Sequence, residues 1–172
     1  MSMSSRKKTT RLAAAALLAA LAIVFSYIEA MIPNPAAIPG VKLGIANIVI
    51  LVALYELDLR YALAINIIRI TIVGLLFSGL FGALYSLAGG LLSMLVMWLL
   101  KKTGLFSIVG VSMAGGVCHN IGQLLTASFI VCDLRMFMYL PVLMFSGIIS
   151  GILVGFISWY ICRTIKKEVL HA

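Results

Sequence analysis

Seven polar side chains could do chemistry in a chain that is otherwise largely apolar: Glu29, Lys42, Asn47, Arg69, His119, Asn120 and Gln123. Arg69 lies inside an apolar stretch, Tyr61 to Leu76, long enough to enter a bilayer. A positive charge at bilayer mid-depth costs about 2.5–3.5 kcal/mol on insertion scales. It is kept where it lines a protein-walled cavity, pairs with an acid or meets a ligand. Asn66, three residues earlier, shares its helical face. Glu29 is a candidate partner for Arg69 across helices, with Lys42 as a competing cation, and Asn47 follows Lys42 within the same segment. His119, Asn120 and Gln123 fall within five residues and offer both donors and acceptors. Ser112, Gly116 and Thr126 continue their face. Two readings stay open for these groups: hydrogen bonds and ion pairs between helices, or the lining of a ligand pocket. The cations outnumber Glu29, which favours an anionic or electronegative ligand.

No catalytic residues, cofactor or metal site are expected. Magnesium-dependent prenyl chemistry holds metal and diphosphate on aspartate clusters, whereas Asp58 and Asp133 stand alone in separate turns. His119 is the only histidine besides His171. No glycine-rich phosphate loop with a lysine occurs, so nucleotide hydrolysis by this chain is excluded. Cys118, Cys132 and Cys162 are widely spaced and odd in number, and read as small packing residues.

These groups must be positioned by elements that live in lipid. The 172 residues are 63% hydrophobic and 10% charged, more apolar surface than a soluble domain of this size can hide. The net charge of +8 does not point to nucleic acid. Its cations cluster at helix ends, as Arg6, Lys7, Lys8 and Arg11, then Lys101 and Lys102, then Arg163, Lys166 and Lys167. That pattern sets membrane topology and attracts anionic headgroups. The first apolar stretch, Leu12 to Ile32, is too long for a signal-peptide core.

The expected fold is all-α and integral to the cell membrane: a bundle of six transmembrane helices over residues 11–163. Residues 1–10 form a polar cytoplasmic tail and 164–172 a basic one. The predicted helices are Arg11–Ile32, Lys42–Tyr55, Tyr61–Leu76, Leu80–Leu100, Phe106–Val131 and Phe137–Cys162. Pro33, Pro35 and Pro39-Gly40 break the chain after the first helix, and the apolar 33–41 loop is placed to fold over a cavity mouth. With both termini inside, ten of the 13 basic residues face the cytoplasm. Small residues carry the packing. Ala15, Ala19, Ala22, Ser26 and Glu29 form one face of the first helix, duplicated in part by Ala16 and Ala20. Gly147, Gly151 and Gly155 form a groove on the last. Either face suits packing within the bundle or docking of another chain.

The run Pro39-Gly40-Val41-Lys42-Leu43-Gly44-Ile45-Ala46-Asn47, Arg69, and Gly110-Val111-Ser112 followed by Cys118-His119-Asn120-Ile121-Gly122-Gln123 resemble the Gx transporter family. That family is also labelled heptaprenyl diphosphate synthase component I. It is similar to the substrate-binding S components of energy-coupling factor (ECF) transporters, six-helix membrane proteins that bind a micronutrient from outside. The resemblance implies a small-molecule substrate and a transmembrane coupling subunit with paired ATPases. It also implies a docking face on the first helix, matched here by Ala15/Ala19 or Ala16/Ala20. The resemblance carries over an outward-facing site as a region only; the residues themselves give the expected ligand-binding set, Glu29, Lys42, Asn47, Arg69, His119, Asn120 and Gln123, with the 33–41 loop as a lid. The alternative is a non-catalytic membrane accessory of isoprenoid or quinone metabolism, or of membrane electron transfer, holding a lipid or a redox enzyme.

Overall fold

The computed structural model describes residues 3–32 and 43–171, with side chains over 8–32 and 43–165. Lys42 and the expected 33–41 lid lie outside the described residues. All regular structure among the described residues is helical: α1 (Met3–Met31), α2 (Ile45–Glu56), α3 (Leu59–Val73), α4 (Gly79–Thr103), α5 (Ile108–Val131) and α6 (Leu140–His171). Helix runs on into both segments predicted as tails, since α1 starts at Met3 and α6 ends at His171.

The expected six separate spanning helices need correction. A π turn, Gly74–Ser78, joins α3 to α4, so Leu59–Thr103 is one 45-residue helical run and the described residues hold five runs, not six. Four are long and apolar enough to cross a membrane: Lys8–Met31, Leu59–Thr103, Ile108–Val131 and Leu134–Ile165. The fifth, α2, has 12 residues, about 18 Å at the α-helical rise against a hydrocarbon core of about 30 Å.

The longest run is not straight. Asn66 Nδ2 donates to the Gly90 carbonyl at 3.3 Å, whereas 24 residues of straight helix span about 36 Å. The chain therefore reverses through the π turn, a local widening of the helix, and through Gly79, whose φ of +67° lies in the region that favours glycine. Other reversals have ordinary local causes. Asp58 Oδ1 accepts from the Arg60 and Tyr61 amides and starts α3. Ser107 Oγ accepts from the Gly110 amide at 3.1 Å and starts α5. Asp133 Oδ1 accepts from the Arg135 amide at 2.8 Å and starts a 3₁₀ turn, Leu134–Tyr139, that leads into α6.

The helices contact one another in a closed order, α1–α3–α4–α5–α6–α2 and back to α1. A helix apolar on every side must be surrounded, and α2 is: Ile48 to Leu54 are all buried, with Ile50, Leu51 and Leu54 almost fully so. The outward faces are apolar as well, with Leu17, Leu76, Phe129 and Phe145 exposed, as a lipid-facing surface requires.

Glycines let α4, α5 and α6 approach backbone to backbone. A Cβ on Gly122 would meet Gly89 Cα at 2.9 Å, and one on Gly147 would meet the Gly116 carbonyl group at 2.9 Å. Gly151 and Gly155 lie equally close to Met113 and Val109. The glycine groove of the last helix is thus occupied within the bundle.

Cations close one end. Lys101 Nζ donates to the Leu54 carbonyl at 2.6 Å, Arg11 donates to the Leu57 carbonyl and Arg11 faces Asp58 at 3.9 Å. These bonds hold the early part of α1, the end of α2, the start of α3 and the end of α4 together. The carbonyls they satisfy lie at the C-terminal end of α2, where positive charge is favoured.

Candidate functional site

At the opposite end the helices diverge around a cavity of about 520 Å³. Its walls come from the last turns of α1, the start of α2, the end of α3 with the π turn, and the middle of α5, with single residues from α4 and α6. Of the seven polar residues read from the sequence, Glu29, Asn47, Arg69, His119 and Asn120 line it. Lys42 lies outside the described residues. Gln123 is not part of the wall: its Cγ would stand 2.8 Å from a Cβ on Gly89, so its stem fills the α4–α5 contact.

Arg69 is the best-positioned of the group. Its Nη2 donates to Asn66 Oδ1 at 2.8 Å and its Nη1 to Ser26 Oγ at 3.4 Å. Asn66 is itself fixed, because its amide nitrogen donates to the Gly90 carbonyl and its side chain is buried. A chain of bonds therefore runs from the α4 backbone through Asn66 to the guanidinium. A Cβ on Gly90 would stand 2.6 Å from Ile70 Cδ1 and 3.1 Å from Asn66 Nδ2, so a side chain there would make both neighbours shift. Arg69 Nε is buried and has no hydrogen-bond partner among the described residues. A guanidinium has five N–H donors, and hydrogen bonds from the described residues engage two of them here.

Glu29 and Arg69 share the cavity and interact electrostatically. They make no direct ion pair: among the described residues the salt bridge within 4.0 Å is Arg11–Asp58. Glu29 Oε1 instead accepts the Gly44 amide at 2.6 Å. Gly44 has φ +77° at the entry to α2, so Glu29 also pins the point where the chain returns to the bundle. Asn120 divides its role too. It touches the cavity, and its Nδ2 donates to the Leu143 carbonyl at 2.7 Å, joining α5 to α6. The rest of the polar stripe on α5 is spent on packing: Ser112 lies against Gly155, and Thr126 Oγ1 donates to the Gly122 carbonyl.

Tyr27, Phe77 and Ser150 are among the wall residues that were not singled out from sequence. The Tyr27 and Phe77 rings lie 5.3 Å apart, tilted by 52°, so the wall has an aromatic side. Phe77 falls in the π turn, where no simple periodicity applies. Ser150 lies between Gly147 and Gly151 of the glycine groove, which read as a packing face, and Ser86 of α4 also reaches the wall.

The expected docking group splits between two surfaces. Ala15 is buried and Ala19 packs against the core, while Ala16 and Ala20 are exposed on the outer face of α1.

A fixed cation, a carboxylate, hydroxyls, amides and two rings surround a space of small-molecule size. Asp58 and Asp133, the two aspartates, are occupied as helix caps in separate turns. Searches among curated proteins and among solved structures give no match. A family model described as heptaprenyl diphosphate synthase component I matches residues 18–161, which takes in every described segment of the cavity wall. The chain belongs to the heptaprenyl diphosphate synthase component I family.

Proposed function

We propose that the chain is the membrane-embedded substrate-binding subunit of a small-molecule importer, similar to an ECF S component. It crosses the membrane six times, with both termini cytoplasmic, and α2 and the α3–α4 hairpin count as crossings. The bonds that bring Leu54, Asp58 and Lys101 to one end support this path. The basic residues at that end support the orientation, which turns the cavity to the outside.

One observation carries the reading: Arg69 is held at a cavity wall by Asn66 and Ser26 with a buried Nε that no described residue engages. Its fork suits a carboxylate or phosphate. Glu29 suits a donor or cation on the same ligand, and Tyr27 with Phe77 a ring. The ligand class is a small, partly cyclic molecule with an acidic group. Release rests on a coupling subunit with ATPases, for which Ala16 and Ala20 offer an outward face on α1.

Native mass spectrometry of the protein purified in mild detergent tests this. The wild type and Arg135→Ala retain a small-molecule adduct, and Arg69→Ala and Arg69→Lys lose it. Equal adducts on all four proteins, or none on the wild type in any growth medium, reject the site. The family's description favours a second reading, a membrane accessory of isoprenoid metabolism. Co-purification of a prenyltransferase in place of ATPase subunits would select it.

A further inference from the structure

A second cavity opens at the basic end of the bundle, remote from the one above. It measures about 410 Å³ and is walled by Leu54 of α2, Asp58 to Arg60 at the start of α3, and Trp98, Lys101 and Lys102 of α4. Three cations and one carboxylate face it. The carboxylate is already occupied. Asp58 Oδ1 accepts two backbone amides, and Oδ2 faces Arg11, which is outside the cavity wall. The site is therefore positive in net terms.

Its cations are held in place. Lys101 Nζ is fixed on the Leu54 carbonyl and lies 4.9 Å from the centre of the Tyr55 ring. Lys102 Nζ lies 5.4 Å from the centre of the Trp98 ring. Arg60 is exposed beside them. An apolar track leads away along α4, where Leu91, Leu95 and Leu99 are exposed at four-residue spacing, one turn after another. Leu99 stands one turn before Lys102 on the same helix.

Positive charge above an apolar track is the shape of a lipid with an anionic head. Basic pockets between spanning helices bind such heads, and an arginine with two lysines matches phosphate oxygens. We infer that this cavity is a phosphate-headgroup site for an anionic membrane lipid, seated at the α2–α3–α4 junction with an acyl chain along Leu99, Leu95 and Leu91. A free phosphate shares the head's chemistry but would make no use of the track.

The test is native mass spectrometry of the delipidated full chain, titrated with phosphatidylglycerol, phosphatidylcholine and, separately, sodium pyrophosphate. Phosphatidylglycerol adducts exceed phosphatidylcholine adducts on the wild type. They fall by about fivefold or more in Arg60→Gln/Lys102→Gln. They are unchanged in Arg163→Gln, a cation that lies over Trp159 outside this cavity. Equal adducts on wild type and double variant overturn the proposal. Pyrophosphate that binds alone and displaces the lipid, with the same Arg60/Lys102 dependence, overturns the lipid assignment and leaves a soluble phosphate. A second measurement needs no cation variant. In Trp159→Phe, brominated phosphatidylglycerol quenches Trp98 emission more than brominated phosphatidylcholine does; equal quenching also overturns the site.

Discussion

Arg69 was legible in the sequence because a lone charge in an apolar run has few places to go. What holds it was not. Asn66 was placed on the same face, but its anchor is the Gly90 carbonyl, 24 residues on and reached only after the chain reverses. Removing that anchor should release the guanidinium without removing its charge. Asn66→Ala is expected to weaken small-molecule retention about tenfold, the equivalent of roughly 1.4 kcal/mol, the scale of one or two hydrogen bonds. The adduct population across a ligand dilution series reads this, and an unchanged series would show that Asn66 positions nothing. Asn120 teaches the opposite lesson. Three polar groups within five residues left a ligand cluster and interhelical bonding both open; Asn120 lines the cavity and also bonds to Leu143, while Gln123 fills the gap at Gly89. Asn120→Ala leaves the Leu143 carbonyl without that donor, so it should cost about 1–3 kcal/mol of stability. Thermal unfolding in detergent measures it. A loss of ligand with an unchanged midpoint would show that Asn120 serves the ligand rather than the α5–α6 contact.

At the scale of elements, composition was read correctly and connection was not. Four long apolar helices follow from runs of about 20 apolar residues, and the short second segment was visible as short. A break between Leu76 and Leu80 was legible, but a π turn, Gly74–Ser78, continues the helical run across it, so α3 and α4 form a single run. No sequence pattern announced that α2 would be enclosed by α1, α3 and α6. The glycine periodicity of α6 marked a close approach but not its partner, because the same spacing serves an internal or an external contact. The two alanine pairs of α1 are one residue apart in sequence and lie on different surfaces. They therefore separate packing from docking. Ala19→Trp pushes an indole into the core and should lower the unfolding midpoint, at a cost of about 1–3 kcal/mol for overpacking. Ala16→Trp, on the exposed side, should leave the midpoint alone and reduce co-purification of a coupling subunit. If Ala16→Trp purifies with its partner as the wild type does, α1 does not present the docking face.

The molecule as a whole is organised by its two ends. Lys101 on Leu54 and Arg11 beside Asp58 gather one set of helix ends. The cavity occupies the other, where Met31, Gly44 and Phe77 meet. Charge placement in the sequence implied such a polarity, while the bonds that enforce it come from residues 46 or 47 positions apart and could not be read from spacing. An even number of crossings returns both termini to one side, and a single pass of Leu59–Thr103 would not. Cysteine chemistry distinguishes these paths. Cys132 is exposed, just after α5, while Cys162 is buried and Cys118 half-buried. In intact cells a membrane-impermeant maleimide should modify Cys132, because in the proposed orientation α5 carries the chain from the basic end to the outside. In a Cys132→Ser background, a cysteine introduced as Thr103→Cys, at the end of α4 beside Lys101 and Lys102, should react only after permeabilisation. Arg60→Cys, at the start of α3, should behave like Thr103→Cys, because Leu59 and Arg60 share a cavity wall with Lys101 and Lys102. Opposite accessibility of positions 60 and 103 would mean a single pass there. It would place α4's lysines outside, and with them the proposed direction of entry would fall.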